Sequence, residues 1–165
     1  MKWGDFVAGK TIQLNFIDNK INGKIKARIN SWTTMAFKIP RNELATCNIV
    51  EELSYVGVYF LFGKSKNSKK PSVYIGQAGP RKAKGGTGIL MRFKEHEHDK
   101  LKSFWYEAVA ITSANNTFDS TAISYLEHRF VKLAKQANRY NVENSNDPTP
   151  GNITDERTNE LDEII

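Results

Sequence analysis

The chain has 165 residues, with 24 Lys and Arg against 18 Asp and Glu and a formal net charge of +6. A chain this long buries roughly 70% of its unfolded surface, and its 39% apolar and 11% aromatic residues exclude wholesale disorder. No apolar run approaches the ~18 residues of a membrane span, the N-terminal stretch shows no secretory signal, and the lone Cys47 excludes an intramolecular disulfide, so a cytoplasmic protein with no membrane partner is expected.

Residues 10–40 alternate apolar and polar in short runs. Ile12, Leu14 and Phe16 lead to the turn-rich Asp18-Asn19-Lys20 and Asn22-Gly23. Ile25, Ala27 and Ile29 then alternate with Lys24, Lys26 and Arg28, and Met35, Phe37 and Ile39 precede Pro40. Period 2 broken by turn residues predicts a three-stranded antiparallel meander. One face should be apolar, with the cation row Lys24, Lys26 and Arg28 on the other. Such a row is either a solvated face or a nucleic-acid contact. So small a sheet must pack against later parts of the chain. Residues 41–53 read as a connector with a short helix at most.

Val56, Val58, Phe60 and Phe62 alternate with Gly57, Tyr59 and Leu61, which predicts a strand. A polar stretch at 63–71, carrying Lys64, Lys66, Lys69 and Lys70, leads to a second strand, Ser72-Val73-Tyr74-Ile75-Gly76. The two form an antiparallel hairpin with a long basic loop. Residues 79–88, rich in Gly and Lys, should be irregular. Helical character starts near Thr87, with Leu90, Met91 and Phe93 as its apolar residues. Residues 105–112 make a third strand. The clearest helix runs over 120–138 with Asp119 as N-cap and a stripe of Ile123, Leu126, Phe130, Leu133, Ala134 and Ala137. Residues 154–165 hold five acids and one base and read as a short helix, a linker or a tail.

Charge is unevenly spread: net +5 over residues 1–50, +6 over 51–105 and −5 over 106–165. The basic front meets the electrostatic requirement for a polyanion partner. Lysine-rich loops that merely confer solubility are the plainer alternative.

Glu127 is the anomaly of the long helix. It falls at the edge of the apolar stripe, where a carboxylate is costly to desolvate unless a cation or a metal meets it. A structural salt bridge is the alternative. Tyr59 and Tyr74 take the opposite parity to the aliphatic residues of their strands, so both phenols can leave one sheet face, although strand tyrosines usually just pack. Arg92 and His96 stand at i, i+4 on one helix face, an arrangement that is usually solvated.

Gly57-Val58-Tyr59, Tyr74-Ile75-Gly76, Arg92 and Glu127 in this order and spacing, with Gln77-Ala78-Gly79 after the second tripeptide, resemble the GIY-YIG nuclease family over residues 54–146. The basic meander ahead of them resembles the N-terminal extension of some bacterial members. The resemblance implies an α+β fold: a small domain with a short antiparallel or mixed sheet flanked by helices, preceded by the meander. The boundaries become 1–50 for the β-rich basic segment, 51–148 for the nuclease-like domain and 149–165 for an acidic tail or linker. Val58 stands where the family name has Ile, and residues 80–88 look like an insertion.

By position, the resemblance implies a metal-dependent endonuclease acting on DNA with one divalent cation, Mg²⁺ or Mn²⁺. Glu127 would be the metal ligand and Arg92 would hold the scissile phosphate. Tyr59 would orient or deprotonate the attacking water, Tyr74 would complete the polar site, and His96 would assist proton transfer. Asn144 would fill the family's Asn position after the Glu helix. Lys24, Lys26, Arg28, Lys82 and Lys84 would contact nucleic acid.

These roles also make chemical sense. A divalent ion is a Lewis acid for phosphodiester hydrolysis, a carboxylate suits Mg²⁺, and Arg offers a planar charged fork to phosphate. A Tyr with pKa near 10 is a poor base at neutral pH, and His is the better titrating group. A nucleic-acid-binding module without catalysis, on the same fold, is the rival reading.

Overall fold

The computed structural model describes residues 9–80 and 88–165. The meander consists of β1 (Ile12–Phe16), β2 (Ile25–Ile29) and β3 (Thr34–Pro40), paired antiparallel in sequence order. Two 3₁₀ segments, Arg41–Ile49 and Glu51–Ser54, connect it to the antiparallel hairpin of β4 (Gly57–Gly63) and β5 (Ser72–Ala78). Helix α1 (Ile89–His98), β6 (Trp105–Ser113), α2 (Ser120–Ala137), the two-residue β7 (Asn141–Val142) and α3 (Asp155–Asp162) complete the chain. The strands form one sheet in the order β1-β2-β3-β6-β4-β5-β7, antiparallel except at β5–β7. The fold is α+β with a mixed sheet. Among the described residues, no helix is long and apolar enough to cross a membrane.

β3 pairs with β6 from Thr34 opposite Ser113 to Pro40 opposite Glu107, so the meander is continuous with the rest of the sheet. Met35, Phe37 and Ile39 share one core with Leu44, Leu53, Tyr59, Leu61, Phe93 and Trp105. This core lies between one sheet face and the layer made by α1 and the 3₁₀ segments. On the opposite face, α2 packs Ile123 and Leu126 against Val58, and Val131 against Val73 and Ile75. Asp119 caps α2 by accepting from the Ala122 amide at 2.7 Å, and Asn138 ends it in the left-handed region at φ 51°. Leu133, expected in the apolar stripe, is exposed, as is Ala137. Among the described residues only the short β7 lies beyond β5, so the last turns of α2 have little sheet to cover. Residues 155–162 are a packed helix: Leu161 joins the Val58 cluster, and the Tyr125 hydroxyl donates to Asp162 at 2.8 Å.

The meander departs from expectation in which face it buries. Directly opposed residues of an antiparallel pair share a face, and the register sets Lys26 against Phe37 and Arg28 against Met35. The cation side of β2 therefore faces the core layer. Ile12, Leu14 and Phe16, expected inside, are 61%, 59% and 41% exposed. The expected solvent row of three cations is corrected accordingly. Lys24 is only 1% exposed, pairs with Asp18 at 2.9 Å and donates to Thr46. Lys26 pairs with Glu52 at 2.5 Å. Arg28 is exposed and donates to Gln13 at 3.3 Å.

Candidate active site

The sheet register makes the site. Tyr59 stands opposite Gly76, and Tyr74 opposite Leu61, so both phenols leave the sheet on the α1 side. Their ring centroids are 6.3 Å apart. Gly76 is what lets the pair form: a Cβ there would lie 2.6 Å from the Tyr59 hydroxyl and 3.0 Å from the Tyr74 ring. Gly57 permits a second close approach, because a Cβ would meet the Ile111 carbonyl oxygen at 2.3 Å and the Ile89 side chain at 2.6 Å. The two tripeptide glycines thus set the spacing of β4 against β5, β6 and α1.

α1 lies over the tyrosines. Phe93 meets Tyr59 edge-on at 5.5 Å, and His96, three residues on along the same helix face, brings its Nε2 to 2.7 Å from the Tyr59 hydroxyl. His96 is buried. Burial first, then the positive charges of Lys102 and Arg92, bring its pKa down to about 4. It is therefore neutral at pH 7 and has a ring nitrogen free to accept. Burial first, with the neighbouring Tyr74, holds the Tyr59 phenol well above its ordinary pKa; Arg92 pulls the other way and Glu127 adds to the rise. Tyr59 is thus protonated at neutral pH. Its hydroxyl donates to Nε2 in the tautomer that carries the proton on Nδ1.

Arg92, one turn before His96 on α1, is half-buried and bonds Glu95 at 3.0 Å. Lys102, on the 3₁₀ turn Lys100–Lys102 after α1, places Nζ 4.6 Å from the centre of the Tyr74 ring. From the other side of the sheet, α2 presents Glu127, whose Oε2 accepts from Gln77 Nε2 at 2.9 Å. Burial pushes the Glu127 carboxyl up, against the lowering effects of the Gln77 hydrogen bond and of Arg92. β7 pairs with Ser72 and Val73, and among the described residues no strand lies beyond it on this side of β5.

Tyr59, Tyr74, Arg92, His96 and Glu127 thus converge around the far end of β5, near enough for the Arg92 and Glu127 charges to act on Tyr59. Asn144 does not join them. Its amide donates to the Ile75 carbonyl at 2.7 Å and accepts from the Ile75 amide at 3.1 Å, so it clamps the β5 edge as a surrogate strand. Asn144, expected at the family's Asn position after the Glu helix, thus bonds the β5 backbone and not the other expected site residues. Lys82 and Lys84 lie outside the described residues, and Lys24 is buried away from solvent.

Sequence reasoning missed Gln77 and Lys102 as members of the site. Gln77 left a signal: it has the parity of Val73 and Ile75, which face α2, and a polar side chain there needs a partner. Lys102 left none, because an irregular turn has no period.

Glu127 is a single, half-buried carboxylate. Among the described residues, no group of three or more His, Cys, Asp and Glu side chains gathers as a metal cage. One carboxylate in a partly desolvated setting fits a hard cation that retains most of its water, such as Mg²⁺; it does not fit a closed zinc site. No family model matches this chain, and neither a curated protein nor a solved structure matches it.

Proposed function

We propose that the protein is a metal-dependent endonuclease that hydrolyses phosphodiester bonds in DNA, working in the manner of the GIY-YIG family. The observation that carries this reading is the Tyr59–His96 hydrogen bond at 2.7 Å, set in one cluster with a permanent cation, Arg92, and a half-buried carboxylate, Glu127. A purely structural polar cluster would pair Glu127 with Arg92. Here each keeps a separate first partner, Gln77 and Glu95, and each retains capacity for a ligand.

Glu127 would hold the divalent cation, with Gln77 fixing the carboxylate through Oε2. Bound there, the ion supplies Lewis-acid charge stabilisation at the phosphate. Arg92 offers its guanidinium to the non-bridging phosphate oxygens, exchanging the Glu95 contact for a charge-assisted pair. Tyr74, beneath the Lys102 ammonium, adds a hydroxyl on the same face.

Tyr59 does not act as a free phenolate base, because burial keeps it protonated. It orients the attacking water, with its own hydroxyl fixed by the hydrogen bond to Nε2 of His96. His96, expected as the titrating group, stays neutral in this pocket and acts by holding the Tyr59 hydroxyl in place. The reading places the protein with DNA as partner and in the cytoplasm.

The direct test is incubation of purified protein with supercoiled plasmid in Mg²⁺ and in EDTA. Nicked and linear products in Mg²⁺ alone are expected. DNA binding with the plasmid left intact in Mg²⁺ and in Mn²⁺ would overturn hydrolysis and leave a binding module.

A further inference from the structure

The most exposed large apolar side chain among the described residues is Leu101, at 91%. It sits at the tip of the 3₁₀ turn between Lys100 and Lys102, one turn of chain from the candidate site. An isolated exposed Leu is ordinary on a protein surface. This one is held out by a braced support. Asp99 accepts from the Leu101 amide at 2.9 Å and pairs with Lys102 at 3.3 Å. The Arg41 guanidinium donates to the carbonyls of Glu97, Ser103 and Trp105 at 2.8, 3.2 and 3.1 Å, and stacks over the Trp105 ring. Both ends of the turn are therefore fastened to the core.

Leu101 also lines a cleft with the β4–β5 loop. The Lys64 amide donates to the Phe104 carbonyl at 3.0 Å, which brings Lys64 and Lys66 to the opposite wall. Glu143 is the acidic residue of the lining, and it is engaged with Ser72 at 2.6 Å. Lys64 and Lys66 line the cleft, Lys100 precedes Leu101 on the turn, and Lys102 reaches back over Tyr74. The apolar side chain therefore stands among cations, and the row leads into the tyrosine pair.

We infer that this cleft is a duplex-DNA contact in which Lys64, Lys66 and Lys100 engage phosphates and Leu101 wedges into a base step beside the cleavage site. The inference deepens the nuclease reading and rests on it for the position of the scissile bond. An apolar side chain between lysines suits a wedge, because the cations hold the backbone while the side chain replaces stacking at one step. A rigid support suits it too, since a mobile tip would yield before the stack did. This contact lies apart from the meander, where Lys24 is buried in its pair with Asp18.

The test uses a fluorescent duplex carrying 2-aminopurine at successive steps, with binding followed in Ca²⁺ and cleavage of the same duplex followed in Mg²⁺. Wild type should raise 2-aminopurine fluorescence at one step. Leu101→Ala should abolish that rise while keeping the salt dependence of binding. Combined Lys64→Gln, Lys66→Gln and Lys100→Gln should flatten the slope of log affinity against log salt by about 0.9 for each lysine removed. An undiminished fluorescence rise in Leu101→Ala, an unchanged slope in the triple variant, or no duplex binding by wild type would each overturn the inference. Binding and unstacking without cleavage in Mg²⁺ would support the wedge and remove the nuclease reading alone.

Discussion

His96 sits in a pocket that resists its protonation, and this gives the protein a pH signature. Its pKa of about 4 lies below the ordinary 6.5, so between those values the unfolded chain binds more protons than the folded one. Stability from this group rises with pH across that window, is complete above it and is lost as pH falls toward 4; the contribution is on the order of 3 kcal/mol. Urea midpoints measured from pH 4 to pH 7 should show the rise in wild type and a flatter profile in His96→Phe. A parallel profile in the variant would remove His96 as its source. Gly76 is equally specific. Gly76→Ala forces a methyl against the Tyr59 hydroxyl, so it should cost about 1–3 kcal/mol by overpacking. It should also break the Tyr59–His96 bond, seen as a rise in the His96 pKa by NMR titration. The glycine was legible as part of a tripeptide, but the reason for it was not: it depends on Tyr59 standing across the register, which only the sheet supplies.

At the scale of elements, the meander shows what periodicity reveals and what it does not. Alternation located β1, β2 and β3, but it does not say which parity of one strand is aligned with which parity of the next. Lys26 opposite Phe37 decides that, and it turns the apolar residues of β1 outward. Lys24 illustrates the consequence: it is a buried ion-pair partner with Asp18, and Glu43 lies 3.9 Å away. Lys24→Ala should therefore lower stability, because it empties a buried site and removes the bonds to Asp18 and Thr46. Thermal melts would check this, and an unchanged melting temperature would contradict the burial. The β5 edge offers a second test. Asn144→Ala removes two hydrogen bonds to Ile75 and should cost about 1–3 kcal/mol, with amide exchange at Ile75 accelerated. Asn144 was visible as a polar residue after the long helix. Its partner, a backbone segment 69 positions earlier, left no trace in local pattern.

For the whole molecule, the sheet gathers residues separated by some 70 positions at one end of β5. β4 and β5 bring Tyr59 and Tyr74, α1 brings Arg92 and His96 over one face, and α2 brings Glu127 to the other. The motif order foretold which residues would meet, because each is a chemically distinctive side chain on a well-patterned element. It did not foretell Lys102 or the Leu101 turn, which hang on irregular chain braced by Arg41. On the proposed reading, phosphodiester hydrolysis depends on the Glu127 carboxylate. Glu127→Gln keeps the volume and removes the charge, so its rate of plasmid cleavage in Mg²⁺ should be measured beside that of wild type. A folded variant that binds DNA and leaves the plasmid intact, beside a wild type that cuts it, is the predicted result. A folded variant that cuts at the wild-type rate would contradict the claim.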